Sequence, residues 1–352
     1  MKILYGVPSE GMGHATRSKV VIEYLLSIGH DAVIVTSDRA FTFLQQFFGD
    51  RVVQIEGFHM AYNNAKVSVK ATTIKTIQDA PKQLIKNLKV YFKQLQHQHF
   101  DAVISDFESF TNFFAKWHHL PLISIDNMQI INRATLDIPI PKHEEVNYQI
   151  AKGIIKIKVP KASKYLITTF FQPPIRKKRT EYVPPIIREA IINATVTKQK
   201  HILVYQTSTT ASDLITSLQA FPKEQFYVFG FNKEEQHKNV HLKKFSETEF
   251  IELLASAKAV MANGGFSFIS EAVYLHKPIF SVPIENQFEQ FVNASYIQQL
   301  GYGMHASAFD ADSIKQFLNN LPTFQTKINT YTQDGNTALF SNLQKTLNLI
   351  EN

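Results

Sequence analysis

The sequence predicts an α/β protein built from two doubly wound domains, and three observations support this fold class. The chain has 352 residues, enough for two domains of ordinary size with separate cores. An apolar segment at Lys2 to Val7 runs through a glycine-containing loop into a helical pattern at Ala15 to Ile28, and a second apolar segment follows at Asp31 to Thr36. The order of strand, turn and helix starts again at His201 to Tyr205.

The composition excludes several classes of protein. No apolar run approaches the roughly 18 to 20 residues that a membrane-spanning helix needs. The apolar start of the chain is broken at Pro8 and Glu10, too early for a signal peptide. The chain has no cysteine, which excludes disulfides, thiolate metal sites and cysteine nucleophiles. These features are compatible with a cytoplasmic protein.

The net charge of +7 is concentrated in two segments of the first half. Residues 61–100 contain seven lysines and one acid, Asp79, and residues 151–180 contain nine lysines or arginines and no acid. Apolar residues are interleaved with these charges, a mixture that suits an anionic membrane surface. Solvated helix faces are the alternative. No nucleic-acid-binding motif accompanies the charge, so we do not expect a nucleic-acid partner.

The first half of the chain carries polar residues after two predicted buried strands. Asp101 to Ser105 is followed by Asp106 and Glu108, and Pro121 to Ile125 is followed by Asp126 and Asn127. In open α/β sheets the carboxyl ends of parallel strands face the ligand crevice, so these residues are candidates for contacts with sugar hydroxyls. Helix capping is the alternative role for the aspartates. Trp117, His118 and His119 are interpreted as packing and capping residues at a helix end.

The loop after the first strand contains Gly11, Gly13 and His14. The two glycines permit close approach of the backbone to a ligand, and His14 begins the following helix. A dinucleotide-binding loop would carry a third glycine near position 16, where Thr16 stands. An NAD-binding function is therefore only a minor alternative.

The most informative stretch is Met261 to Glu271. An apolar strand at Ala259 to Ala262 breaks at Gly264 and Gly265 and continues as a helix. Such a turn leaves bare backbone N–H groups at the positive end of the helix dipole, which attract phosphate. Glu271 lies about two turns further on, roughly 9 Å along the axis, where a carboxylate is placed for ribose hydroxyls.

Further elements follow this turn in order. They are Ser267 or Ser270, Glu271, Lys277-Pro278, Pro283, Glu289-Gln290 and Asn293. The pattern resembles the donor-binding half of GT-B glycosyltransferases, in particular the group of the lipid II N-acetylglucosaminyltransferase, the monogalactosyldiacylglycerol synthases and the UDP-glucuronosyltransferases. Many relatives carry His or Ser where this chain has Asn263.

The resemblance implies two Rossmann-like domains that face each other across a cleft. The first would cover residues 1–185 and bind the acceptor, and the second would cover residues 186–336 and bind the nucleotide sugar. The last helix, within residues 337–352, would cross back onto the first domain. The strand Lys164 to Phe170 would finish the first sheet. The basic, proline-dense segment from Gln172 to Pro185 is interpreted as a connection, consistent with a boundary between about 184 and 200.

The resemblance also implies roles for single residues. The donor would be a UDP-sugar bound as substrate, with no cofactor and no metal. Its contacts would come from Ser208, the backbone around Phe245, and Asn263, Gly264, Gly265, Ser267, Glu271, Glu289 and Gln290. His14 would be the general base, with Asp106 or Glu108 as alternatives. Gly11, Gly13, Asp126 and Asn127 would line the acceptor side of the cleft.

Asp310-Ala-Asp312 looks like the metal-binding Asp-x-Asp of another glycosyltransferase class. Because it precedes a helical pattern at Ile314, Phe317 and Leu318, we interpret Asp310 as a helix N-cap.

These features together predict an inverting glycosyltransferase. It would act on a lipid-linked or cell-envelope glycan acceptor, in the cytoplasm or at the inner face of the membrane. One alternative is a UDP-sugar epimerase of the same fold, although its Gly-Thr-Arg-Pro-Glu loop does not match Gly11-Met-Gly-His14. The other is a non-catalytic protein that binds nucleotide sugars or glycans.

Overall fold

A computed structural model of the chain describes residues 1–9, 11–57, 62–63, 66–67, 85–206 and 210–351. The first part of the chain alternates strands and helices. They are β1 (Lys2–Gly6), α1 (Met12–Ser27), β2 (Asp31–Thr36), α2 (Asp38–Phe48), β3 (Val52–Gln54), β4 (Tyr62–Asn63), β5 (Lys66–Val67), α3 (described over 85–95, with a π-helical turn at Tyr91–Leu95), β6 (Ala102–Ser105), α4 (Ser109–Trp117), β7 (Leu122–Asp126), α5 (Gln129–Arg133), α6 (Glu145–Lys158), β8 (Lys164–Thr168) and β9 (Thr180–Val183).

Seven of these strands form one parallel sheet in the order β3-β2-β1-β6-β7-β8-β9. The direction of winding reverses between β1 and β6, so the loops after these two strands diverge and leave a crevice at the carboxyl edge. The strands β1, β6, β7 and β8 are buried almost throughout, as expected for a parallel sheet covered on both faces.

The second part of the chain repeats this plan. Its elements are α7 (Glu189–Ile192), β10 (His201–Tyr205), α8 (Ala211–Gln219), β11 (Gln225–Phe229), β12 (Glu235–His237), β13 (Val240–Leu242), α9 (Glu247–Ser256), β14 (Ala259–Ala262), α10 (Phe266–Tyr274), β15 (Ile279–Ser281), α11 (Phe288–Gln299), β16 (Gly303–His305), α12 (Ala311–Asn319), α13 (Leu321–Ile328) and α14 (Thr337–Glu351). The sheet order is β12-β13-β11-β10-β14-β15-β16, and only the edge strand β12 is antiparallel to its neighbour. Its switch point lies between β10 and β14.

The last helix, α14, packs on the first sheet rather than on the second. Its residues Leu339, Leu343 and Leu347 are buried in the same apolar cluster as Ile3 of β1. Phe340 also stacks on Tyr24 of α1 with ring centroids 3.9 Å apart. The chain therefore crosses between the two sheets twice, once after β9 and once before α14.

The predicted two-domain α/β fold class is confirmed, and the strands Asp31–Thr36 and His201–Tyr205 match residue for residue. The prediction that the strand beginning at Lys164 finishes the first sheet is wrong. Thr180–Val183 follows it as an edge strand, paired in parallel with β8. This strand lies inside the basic, proline-dense segment that we interpreted as a connection.

Candidate active site

His14 and Asp106 form the central contact of the first domain's carboxyl edge. His14 lies in the first turn of α1, and Asp106 directly follows β6. Because β1 and β6 are neighbours at the switch point, His14 Nδ1 lies 3.0 Å from Asp106 Oδ1. The His14 side chain is 19% exposed and that of Asp106 is 1% exposed. A buried carboxylate thus holds one nitrogen of a partly exposed imidazole.

Arg17 completes this contact from the same face of α1. Its Nε donates to Asp106 Oδ2 at 2.8 Å, its Nη2 donates to Asp106 Oδ1, and Nη2 also lies 2.8 Å from His14 Nδ1. Ser18 Oγ donates to Asp106 Oδ2 at 3.0 Å. Burial alone would raise the pKa of Asp106, but the Arg17 and His14 partners outweigh it and hold the pKa well below its ordinary value. Asp106 is therefore ionised at neutral pH.

Asn127 extends the network across the cleft. Its Oδ1 accepts from Arg17 Nη1 at 2.8 Å, and its Nδ2 donates to Glu289 Oε1 of the second domain at 2.8 Å. Asn293 Nδ2 donates to the same Glu289 oxygen at 2.9 Å. Burial raises the pKa of Glu289, although the hydrogen bond from Asn293 opposes the shift. The two sheet edges are thus joined by a continuous chain of polar contacts.

Asp126 and Glu108, two further predicted site residues, are engaged in local hydrogen bonds. Asp126 accepts from Ser124 Oγ at 2.6 Å and from the Gln129 backbone N–H at 2.9 Å, and its burial raises its pKa to about 6. Glu108 is the N-cap of α4, and both of its oxygens accept backbone N–H bonds at 2.7 Å, from Phe110 and Thr111. Burial raises the pKa of Glu108 against these bonds.

The glycine turn of the second domain is held by two amide side chains. Gly264 N–H donates to Gln290 Oε1 at 3.0 Å, and Gly264 carbonyl oxygen accepts from Asn293 Nδ2 at 2.9 Å. The expectation that the Gly264 N–H is bare is therefore wrong. A Cβ at Gly264 would lie 2.5 Å from Gln290 Cβ and from its carbonyl oxygen, so only glycine fits. Gly265 is the N-cap of α10, and the first turn of this helix receives no hydrogen bond from a capping side chain.

The remaining predicted donor residues lie around this turn. Asn263 Nδ2 donates to the Val282 carbonyl oxygen at 3.0 Å, and Ser267 Oγ donates to the Gly13 carbonyl oxygen at 3.3 Å across the cleft. Glu271 is 5% exposed. Phe245 lies between β13 and α9 and is 64% exposed. Ser208 lies outside the described residues.

Gly11 and Asp310 occupy helix starts. Gly11 precedes α1 with φ of 149°, a conformation that favours glycine. Asp310 accepts from the Ser313 backbone N–H at 2.8 Å as the N-cap of α12, which confirms the capping interpretation. Within the described ranges, no group of three histidine, aspartate or glutamate side chains is arranged to hold a metal ion.

Two arginines of the cleft were missed by sequence reasoning. Arg17 stands three residues after His14, so helical spacing was a signal that placed both side chains on one face of α1. Arg188 forms a bidentate ion pair with Glu271, with Nε–Oε1 and Nη2–Oε2 distances of 2.6 and 2.8 Å. The two partners are far apart in sequence, and no local pattern pairs them.

Comparison with known proteins assigns the family. The sequence profile of glycosyl transferase family 1 matches residues 1–322. The chain belongs to glycosyl transferase family 1. A match to an uncharacterized glycosyltransferase of Methanosarcina acetivorans is 41% identical over 66 residues, and it spans 19% of this chain and 17% of that protein's length.

Solved structures show that the transferase has the GT-B fold. A UDP-glucosyltransferase from Polygonum tinctorium superimposes with a TM-score of 0.68 at 11% identity, covering 100% of this chain and 98% of that one. UGT2 of Phytolacca americana, solved with UDP-2-fluoro-glucose and pterostilbene, gives 0.65 at 12% identity over 100% of both chains. MurG of Acinetobacter baumannii gives 0.60 at 13% identity, covering 98% and 99%. The predicted GT-B resemblance and transferase class are confirmed.

A large apolar cavity opens in the first domain of the transferase. It has a volume of about 910 Å³ and borders the segments that follow β1 and β6, at Val7, Pro8 and Glu108. Its wall is mainly aromatic and aliphatic, with Leu88, Tyr91, Phe92, Phe110, Phe113 and Trp117 among the lining residues. Trp117 is 78% exposed, so the interpretation of this residue as a packing residue is wrong. His118, by contrast, stacks on Phe114 with centroids 4.3 Å apart.

A basic surface lies on α6 and the segment after β8. Burial lowers the pKa of Lys177, and the nearby charges of Arg176, Arg133, Lys156 and Lys152 lower it further. None of these five cations forms an ion pair with a described acid, and one of them, Arg133, is buried at the end of α5. Two apolar side chains are exposed in the same segments, Ile157 at 75% and Ile175 at 43%. No helix of the described part of the chain is long and apolar enough to cross a membrane.

Proposed function

We propose that the transferase moves a sugar from a UDP-sugar to an acceptor hydroxyl with inversion at the anomeric carbon. The observation that carries this proposal is the contact between His14 Nδ1 and Asp106 Oδ1 at 3.0 Å, opposite the glycine turn of the second domain. The tautomer that donates Nδ1–H to Asp106 leaves Nε2 with a free lone pair, as a general base requires. Asp106 orients the ring and stabilises the imidazolium that forms.

In this reaction the proton of the acceptor hydroxyl passes to His14 Nε2. The acceptor oxygen forms a bond to the anomeric carbon while the bond from that carbon to the β-phosphate oxygen breaks. The electron pair and the negative charge leave with UDP. The uncapped first turn of α10 lies at the positive end of its helix dipole, where it stabilises the departing diphosphate. Ser208 is proposed as a further phosphate contact.

The hydrogen bonds of the two alternative bases favour His14. Asp106 accepts from Arg17, Ser18 and His14, so its oxygens are already engaged. Glu108 uses both oxygens to cap α4. His14 combines partial exposure with a nitrogen directed away from Asp106. We therefore assign proton transfer to His14 and orientation to Asp106.

On the donor side, Glu271 is proposed to bind the ribose hydroxyls and Glu289 the transferred sugar. Glu289 lies beside Asn127 and at the end of the polar chain that starts at His14, which supports a place near the reacting carbon. Gln290 instead supports the glycine turn through its bond to Gly264. The backbone around Phe245 is proposed to contact the uracil edge.

The acceptor is proposed to have an apolar body, as a lipid-linked acceptor does. A cavity of about 910 Å³ with an aromatic wall can bury the apolar surface of a ligand. Each Å² of apolar surface removed from water stabilises the complex by about 25 cal/mol. Its border at Pro8 and Glu108 flanks the β1 and β6 loops that position His14 and Asp106. The apolar wall favours this class over a purely polar glycan.

A donor screen followed by one variant tests the reaction. UDP-, GDP-, dTDP- and CMP-sugars are compared by thermal shift, and UDP-sugars are expected to stabilise the protein most. His14→Ala is expected to lower transfer about 10²- to 10⁴-fold with unchanged UDP affinity measured by calorimetry. Transfer within threefold of wild type in His14→Ala would contradict the assignment of the base.

We further propose that the basic segments bind the anionic inner face of the membrane. The support is the cation group around Lys177 together with the exposed Ile157 and Ile175; most of residues 61–84 lie outside the described ranges. Lys152→Gln/Lys156→Gln is expected to weaken binding to anionic vesicles about 10- to 30-fold, at about 1 kcal/mol per charge. The control Lys238→Gln/Lys315→Gln, on the second domain, is expected to bind as wild type. Equal pelleting with neutral and anionic vesicles would contradict the proposal.

A further inference from the structure

Arg188 lies where the two connections between the domains cross. The first connection, after β9, runs through Pro185 and Ile187. Two side chains of the returning connection, before α14, form hydrogen bonds with its backbone. Asn336 Oδ1 accepts from Ile187 N–H at 2.9 Å, and Asn336 Nδ2 donates to the Ile187 carbonyl oxygen at 2.7 Å. Gln333 Nε2 donates to the Pro185 carbonyl oxygen at 2.8 Å. The backbone directly before Arg188 is thus fixed by two side chains of the returning connection.

The guanidinium of Arg188 makes two unequal ion pairs. Its Nε and Nη2 hold both oxygens of Glu271, and the two side chains are 17% and 7% exposed. Its Nη1 donates to Glu247 Oε1 at 2.7 Å, but the Glu247 side chain is 55% exposed. The buried bidentate pair fixes the orientation of the Glu271 carboxylate. The exposed pair with Glu247 contributes little to the stability of the fold.

Pairing with Arg188 leaves Glu271 able to bind a ligand. An ionised carboxylate has about four lone-pair positions, and the two bonds from Arg188 use one on each oxygen. One position on each oxygen remains, which matches two neighbouring hydroxyl groups. Without Arg188 the carboxylate would lose its fixed orientation and would stand buried without its counter-ion.

We propose that Arg188 is a positioning residue for donor recognition: it holds Glu271 in the orientation that accepts hydrogen bonds from the ribose hydroxyls. This inference rests on the proposed function, in which Glu271 binds the ribose of a UDP-sugar. Lysine at position 188 keeps the charge but cannot hold both carboxylate oxygens in a planar fork. The recognition of the two hydroxyls, rather than the affinity for the diphosphate, therefore depends on the arginine.

The test compares UDP with 2′,3′-dideoxy-UDP, which lacks both ribose hydroxyls, by calorimetry on the full chain. Wild type is expected to bind the dideoxy nucleotide about 10- to 100-fold more weakly, since hydrogen bonds to an ionised carboxylate are lost. In Arg188→Lys the ratio of the dissociation constants of the dideoxy nucleotide and UDP is expected to fall below about threefold. Glu247→Gln, which alters only the exposed partner, is the matched control and is expected to keep the wild-type ratio.

The outcomes separate this inference from the proposed function. A wild-type ratio in Arg188→Lys, with an unfolding transition like that of wild type, would overturn the positioning role, because a purely structural ion pair leaves the ratio unchanged. Equal affinity of wild type for both nucleotides would overturn the assignment of Glu271 to the ribose, and this inference with it. If Arg188→Lys does not fold, Arg188→Gln serves as the second variant: a ratio below about threefold supports the positioning role, and the wild-type ratio overturns it.

Discussion

The carboxyl edges of the two sheets face each other across the cleft, but different groups hold them in place. On the first domain, ionised side chains hold one another, with Arg17 on Asp106 and Asp106 on His14. On the second domain, neutral amides hold the backbone, with Gln290 and Asn293 on the two polar groups of Gly264. Charge on the first side holds the His14 ring in one orientation. Neutral amides on the second side leave the positive end of α10 uncompensated for an anionic donor.

The largest effect is expected when the charged network of the first domain loses Arg17. Arg17→Met leaves Asp106 buried without its main partner, so the free energy of unfolding should fall by about 3 to 5 kcal/mol in denaturant titrations. The control is Arg51→Met, because Arg51 pairs with Asp31 on the surface and both side chains are about half exposed. That variant should lose at most about 1 kcal/mol. Similar losses in the two variants would show that the buried network does not hold the first edge.

A smaller effect is expected when a methyl group is added to the glycine turn of the second domain, which Gln290 and Asn293 hold. Gly264→Ala places a methyl group against Gln290, and the required shift should lower the free energy of unfolding by about 1 to 3 kcal/mol and weaken UDP binding. Gly265→Ala is the matched control, because no heavy atom lies within 4 Å of its Cβ position and its φ is −64°. If the two variants have equal stability and equal UDP affinity, the close approach of Gln290 to Gly264 is not the reason that glycine is needed there.

The smallest effect concerns Asp126, a buried carboxylate of the charged edge that accepts hydrogen bonds from Ser124 and from the Gln129 backbone. Burial raises its pKa to about 6, so folding favours the protonated form. Its ionisation therefore costs stability, increasingly as the pH rises from about 4 to about 6. Asp126→Asn should be more stable than wild type by about 1 to 2 kcal/mol at pH 7.5, and the difference should vanish near pH 4. Thermal unfolding of both proteins across this range gives the difference, and a constant or opposite difference would contradict the shift.

The sequence predicted much of the fold and several residues of the candidate site. Buried parallel strands such as Asp31–Thr36 have continuous apolar residues, and the glycine turns mark where strands become helices. The edge strand Glu235–His237 was missed because it is mostly exposed and has no apolar alternation. Asp106 was singled out because it follows a buried strand, and His14 because its glycine loop resembles that of the transferases.

The partners of the site residues could not be predicted. Glu108 and Gln290 were assigned to ligands, yet backbone N–H groups occupy their side-chain oxygens. The pairs Arg188–Glu271 and Asn127–Glu289 join residues that are distant in sequence, and their contact depends on how the two domains meet. Local patterns specify which side chains reach the cleft, whereas tertiary packing decides which of them remain available.

Trp117 is the only tryptophan of the chain, and it stands exposed at the rim of the apolar cavity. The intrinsic fluorescence of the protein therefore reports on one place, the mouth of this cavity. An apolar molecule that covers the indole should shift its emission to shorter wavelength, while UDP bound at the opposite domain should leave the spectrum unchanged. Candidate acceptors can thus be ranked by titration without a label and before any transfer assay exists.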